Sequence, residues 1–193
     1  MSKYFIVRDR RLNGSLPKKL QPITAFVDAT TSTQSALVSI VGNVALTGNI
    51  KSLFILCHGY ESGFSFLTQG GLGLQLGKED LKPSTVDQWK IINGMVERIV
   101  VYSCGAAYTG TDYFNGSTHD GQSLMSKLAK NTGALVYAAD KTQWYNPNFY
   151  DFGEWEGNVY MFFPTGGMFP FQPSDELQDV VKDLNFFDRF NMD

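Results

Sequence analysis

Apolar residues fall along this chain in short dense runs separated by polar, glycine-rich stretches, and the spacing inside each run points to its element. Ile23 to Val27 is apolar and β-branched; after the Thr/Ser-rich stretch from Asp28 to Thr33 come Leu37, Ile40, Val41 and Val44 at helical spacing. Strand, turn and helix follow one another. Leu53-Phe54-Ile55-Leu56-Cys57 has no polar break, as expected of a strand covered on both faces, and it stops at His58-Gly59. Leu72, Leu74 and Leu76 interleave with Gly71, Gly73 and Gly77, which predicts a small exposed hairpin arm. Pro83-Ser84, with Asp87 shortly after, opens a predicted helix whose apolar side is Val86, Trp89, Ile92 and Val96.

A second buried strand is predicted at Ile99 to Tyr102, ending in Ser103-Cys104-Gly105. The polar stretch from Ala106 to His119 is a long loop, and such loops inside compact domains are usually functional or mobile. Asp120 is placed to cap a helix with Leu124, Met125, Leu128 and Ala129 inward and Gly133 at its end. Ala134 to Ala139 reads as a third buried strand and Val159 to Phe163 as a fourth. Ser174-Asp175-Glu176 opens an amphipathic C-terminal helix carrying Leu177, Val180, Val181 and Leu184. This alternation predicts an α/β fold, a three-layer sandwich with a mainly parallel central sheet. The expected organisation is a single domain over 1–193, with its core at about 23–163 and a helical extension at 174–193.

Composition narrows the classes of function. The 193 residues carry 16 basic and 19 acidic side chains, a formal net charge of −3, and no dense Lys/Arg block. Nucleic-acid binding by phosphate neutralisation is therefore not expected, and Arg8-Asp9-Arg10-Arg11 reads as a solvated edge. No apolar run approaches the roughly 20 residues of a membrane span, and the start, Met1 to Arg8, is too short and charged for a signal peptide. The expected compartment is the cytoplasm. Two cysteines and two histidines, with no CxxC pair, leave no set of zinc ligands, so neither a metal nor another cofactor is expected.

The chemistry concentrates where buried strands end. Parallel strands joined by right-handed crossovers present their carboxyl ends at one edge, where α/β proteins bind ligands. His58 follows one such strand and Cys104 the next, so both should project from the same rim. A free thiol is only a few per cent thiolate at neutral pH, and an imidazole within reach is its usual activator. Gly59 lets the backbone approach a reacting carbonyl, and its N–H, with that of Cys104, could face the oxyanion of a tetrahedral intermediate. Cys57, one residue before His58 inside the apolar run, should point the other way and serve packing. His119 reads as a solvated residue near a helix cap.

An apolar strand ending in His-Gly, then an apolar strand, a small residue and Cys roughly 50 residues on, resembles the caspase-like (clan CD) cysteine peptidases. That group includes caspases, metacaspases, gingipain, clostripain, separase and toxin self-processing domains. Gly71-Leu72-Gly73-Leu74-Gln75-Leu76-Gly77, the segment from Gly121-Gln122-Ser123-Leu124 to Gly133-Ala134, and Phe152-Gly153-Glu154-Trp155-Glu156-Gly157 resemble a related bacterial domain of unknown function. The resemblance implies a caspase-like fold with His58 as general base or orienting imidazole, Cys104 as nucleophile and Gly59 as oxyanion donor. It implies a protein or peptide substrate. Tyr102-Ser103-Cys104-Gly105-Ala106 departs from the Gln-Ala-Cys-x-Gly of caspases, so aspartate specificity is not carried over. Specificity after Arg or Lys would need a pocket carboxylate, for which Asp140 is the best-placed candidate. Trp144 and the aromatic residues after it are the candidate cleft wall.

Two other readings stand beside the peptidase. One is a catalytically silent caspase-like domain that binds a protein partner. The other is an α/β hydrolase using Ser103, which lacks the flanking Gly-x-Ser-x-Gly and has only His119 to offer after the nucleophile. Phe186, Phe187 and Phe190 would be exposed unless folded back or docked on another chain, which leaves a homo-oligomer open.

Overall fold

A computed structural model describes residues 4–12, 23–60, 70–111, 116, 118–143 and 155–172. Its elements in chain order begin with β1 (Tyr4–Asp9), β2 (Ile23–Val27), α1 (Thr33–Thr47) and β3 (Ile50–Leu56). The short strands β4 (His58–Gly59) and β5 (Leu74–Gln75), a 3-10 helix (Val86–Ile92) and β6 (Val96–Tyr102) follow. Then come β7 (Thr109–Thr111), β8 (Thr118–Asp120), α2 (Gly121–Thr132), β9 (Leu135–Ala139), β10 (Val159–Phe162) and β11 (Met168–Phe171).

Seven strands form one sheet in the order β11-β10-β9-β6-β3-β1-β2. The five from β9 to β2 are mutually parallel, while β10 and β11 are antiparallel to their neighbours. The unbroken apolar runs follow from burial on both faces. Phe5, Val7, Leu53, Ile55, Ile99, Val101, Val136 and Ala138 pack on one side; Ile6, Phe54, Leu56, Val100, Tyr102 and Tyr137 pack on the other. This is the strand period of two, repeated in four adjacent strands. Phe54 is only 1% exposed, and removing such a side chain from water stabilises the fold by about 1.5–3 kcal/mol.

The connections from β2 to β3, β3 to β6 and β6 to β9 all step the same way across the sheet. Right-handed crossovers taken in one direction put their helices on one face. Accordingly Leu37 and Ile40 of α1, Val86, Trp89 and Ile92 of the 3-10 helix, and Leu124, Met125 and Leu128 of α2 share a single core. The step from β1 to β2 runs the opposite way, so the strand order reverses between β1 and β3. A crevice outside the strand ends opens at such a reversal.

The helix expected from Pro83 onward is a short 3-10 helix, and Val96 belongs to β6. Its buried residues, Val86, Trp89 and Ile92, recur every three positions, the repeat of a 3-10 turn, so one apolar stripe serves the tighter helix. Leu74 and Leu76 are fully buried rather than exposed, because β5 lies between β4 and the bridge to Leu81. The sheet also extends past the expected core on both sides, through β1 and β11. The expected C-terminal helix over 174–193 lies outside the described residues. Among the described residues no helix is long and apolar enough to cross a membrane.

The α2 helix has both ends specified locally. Asp120 Oδ1 accepts from the Ser123 amide at 2.8 Å, and Gly133, at φ 70°, ends the helix in the left-handed conformation. Asp120→Ala is expected to cost about 1 kcal/mol. Urea unfolding should register this as a lower midpoint with an unchanged m-value.

Candidate functional site

His58 and Cys104 reach the same rim because the strands that carry them are hydrogen-bonded neighbours whose last paired residues are Leu56 and Tyr102. Just beyond, the Ser103 hydroxyl donates to the Cys57 carbonyl at 2.9 Å, tying the two chain ends together. One residue further on, a Cβ placed on Gly59 would overlap the carbonyl oxygen of Cys104. Only glycine permits this approach. Gly70 lies equally close to Gly105, so a second segment is laid against the turn that follows Cys104.

The backbone of His58 is held by β5, opposite Gln75. Its ring Nε2 lies 3.2 Å from the Arg11 carbonyl oxygen, just beyond the end of β1. A carbonyl only accepts, so Nε2 carries the proton and the neutral ring leaves Nδ1 as its base. The ladder also orients Gly59. Tyr60 N donates to Gly73 O at 2.9 Å, so by antiparallel alternation the Gly59 N–H points away from β5.

Arg11 belongs to the run expected to be a solvated edge, and the structure corrects that expectation. Arg8 is 4% exposed and Asp9 fully buried. Asp9 Oδ1 accepts from Arg11 N at 2.9 Å and Arg11 Nε at 2.8 Å. Its Oδ2 accepts from Arg11 Nη2 at 2.6 Å and Gly77 N at 2.8 Å. Burial alone would raise the Asp9 carboxyl, but the side-chain and backbone hydrogen bonds from Arg11, the Gly77 amide and the guanidinium charge leave it below its ordinary value of 3.8. The sequence hid this site: β1 takes its place between β2 and β3 only by pairing with both, and four neighbouring charges resemble surface.

The two thiols differ sharply. Cys57 is 2% exposed in the helix-side core, and burial pushes its thiol up to about 12 despite the Ser103 hydroxyl nearby. Cys104 is partly exposed, and neither cysteine is in a disulfide. The Cys104 thiol donates to the Gln143 carbonyl at 3.7 Å. Gln143 was not singled out in the sequence. It is itself fixed, its amide donating to Lys141 O at 3.0 Å and Glu156 O at 2.8 Å. A lone glutamine in a polar stretch carries no sequence signal for that role.

The other candidates fall as follows. Both carboxylate oxygens of Asp140 accept from Asn158, Oδ1 from the amide and Oδ2 from the side chain, each at 2.9 Å. Asp140 thus clamps the entry to β10. Trp144 lies outside the described residues. His119 is buried at 1% exposure, not solvated; its Nδ1 donates to Gly70 O at 2.9 Å, because β7 and β8 fold the expected loop into a hairpin. Ser103 is 2% exposed, with its hydroxyl committed to Cys57 O, which disfavours it as a nucleophile. Among the described residues no cluster of three or more His, Cys, Asp or Glu is placed to hold a metal ion.

Fold and site together define an α/β protein with a mainly parallel sheet and a histidine, a cysteine and a close-approach glycine at one strand-end rim. No protein-family model matches the chain, and no curated protein sequence matches it.

In the folded protein at pH 8, iodoacetamide is expected to label Cys104 and leave Cys57 unmodified until denaturant is added; peptide mapping distinguishes the two. The lowered Asp9 carboxyl adds stability above its unfolded value near 3.8, and that stability is lost as pH falls through the lower folded value. Asp9→Asn should therefore flatten the acid limb of the unfolding curve, followed by circular dichroism from pH 5 to about 2.

Proposed function

We propose that this chain is a caspase-like cysteine endopeptidase that cleaves peptide bonds through a Cys104 acyl-enzyme. The observation that carries the reading is the contact of Gly59 with the Cys104 backbone, which brings the His58-Gly59 turn against the nucleophile's own peptide. His58, anchored through Nε2, has Nδ1 left to take the thiol proton, and Cys104 Sγ then attacks the scissile carbonyl. The same imidazolium returns the proton to the leaving amine. Water, deprotonated by His58, hydrolyses the thioester and restores the thiol. The Gly59 and Cys104 amides stabilise the oxyanion in both halves.

The mainly parallel sheet agrees with the resemblance to caspase-like peptidases. With this reading goes a three-layer sandwich, in which the face bearing Ile6, Phe54, Leu56 and Val100, all buried, is covered as the α1 side is. The substrate is a protein or peptide. Recognition of a basic residue would rest on Asp140, and such a side chain has to compete with Asn158 for the carboxylate. The donation of the Cys104 thiol to Gln143 O favours a second reading, a silent domain whose cleft binds a protein, because the hydrogen bond directs the thiol proton to a backbone carbonyl.

A fluorogenic peptide library separates the two readings. Cys104→Ala should abolish turnover, His58→Ala should lower kcat/KM by roughly 10²–10⁴-fold, and Cys57→Ser should leave it intact. Turnover that survives Cys104→Ala, or is absent from the parent chain across the library, would sink the peptidase reading.

A further inference from the structure

The His58 ring and the His58 backbone are held by different parts of the fold. The ring rests on the Arg11 carbonyl, after β1; the backbone rests on β5, opposite Gln75. For the imidazole to keep a fixed aim at Cys104, these two supports must not move relative to each other. The Asp9 side chain joins them. The Asp9 carboxylate grips Arg11 through the amide, Nε and Nη2, and grips Gly77, two residues past Gln75, through the amide. Arg11 Nη2 doubles the link by donating to the Gly77 carbonyl at 2.8 Å. The circuit is closed: His58 ring, Arg11 carbonyl, Arg11 fork, Asp9, Gly77, β5 and His58 backbone.

Each link is of the kind that holds geometry well. Asp9 is fully buried, and its hydrogen bonds to the guanidinium are bidentate and charge-assisted. Gly77 is anchored in turn, at φ 67°, against Thr31 and Thr33; there the Thr33 hydroxyl donates to Leu76 O at 2.9 Å and the Thr33 amide to Glu79 Oε2 at 2.8 Å. The supports of the imidazole are thereby tied to the start of α1, a rigid element of the core.

We infer that Asp9 and the Arg11 side chain are positioning residues for His58: they fix the imidazole in the Nε2–H tautomer and direct Nδ1 toward the thiol, without touching substrate. This rests on the His58–Cys104 reading above. It predicts that loosening the Asp9 grip changes the state of the ring, and through it the reactivity of Cys104, before it changes the fold.

The two histidines of the chain make the ring directly readable. As neutral rings, His58 donates through Nε2 and His119 through Nδ1, so long-range ¹H–¹⁵N spectra of the imidazoles give opposite patterns in the parent protein. Spectra of the parent, Asp9→Asn and Arg11→Lys are recorded above the imidazole titration range, beside the rate of Cys104 alkylation by iodoacetamide. Arg11→Lys keeps a cation and the backbone carbonyl but loses the planar fork, and serves if Asp9→Asn does not fold. In both variants His58 is expected to become a mixture of tautomers while His119 is unchanged. Cys104 alkylation is expected to slow by up to about 10²-fold, the scale of a catalytic group displaced by an ångström.

An unaltered His58 pattern in the folded variants overturns the positioning role while leaving the dyad standing. A failure of the dyad reads out separately, as Cys104 alkylation in the parent that His58→Ala does not slow; Asp9 would then be an anchor of the fold alone.

Discussion

Two neighbouring parallel strands, β3 and β6, run buried on both faces to their carboxyl ends, and there the chain must turn outward without leaving polar groups orphaned. The Ser103 hydroxyl meets the Cys57 carbonyl, and Gly59 lies against the Cys104 peptide with no side chain between. This contact brings the His58-Gly59 segment against the peptide of Cys104. A larger residue at 59 would push the His58 turn off Cys104, and the imidazole and thiol would cease to share a rim.

The rim combines inert and adaptable parts. Cys57 and Ser103 point into the helix-side core and are committed to packing and to each other, whereas the next residues, His58 and Cys104, emerge partly exposed. Strand alternation performs this sorting, since consecutive side chains belong to opposite faces. The same rule separates two thiols that composition cannot tell apart. Burial pushes the Cys57 thiol up to about 12, far from ionisation at neutral pH, whereas Cys104 is the partly exposed one.

The reversal of strand order adds the third partner. Because β2 lies outside β1, the carboxyl end of β1 stands next to that of β3, and the Arg11 carbonyl arrives beside His58. The buried Asp9–Arg11–Gly77 network holds that end firmly, where an isolated buried carboxylate would be costly. This polar network lies at the strand-order reversal, where a crevice opens outside the strand ends.

Much of this was legible in the sequence where the signal was local. The runs at Leu53–Cys57 and Ile99–Tyr102, the cap at Asp120 and the stop at Gly133 depend on side-chain type and spacing, which tertiary context did not override. What escaped was non-local. That β1 lies inside the sheet between β3 and β2, that Asp9 is buried, that Gln143 receives the thiol and that His119 is enclosed are outcomes of pairing between segments far apart in the chain. A charged run reads as surface until a partner for each charge is in place, and only the folded sheet supplies those partners.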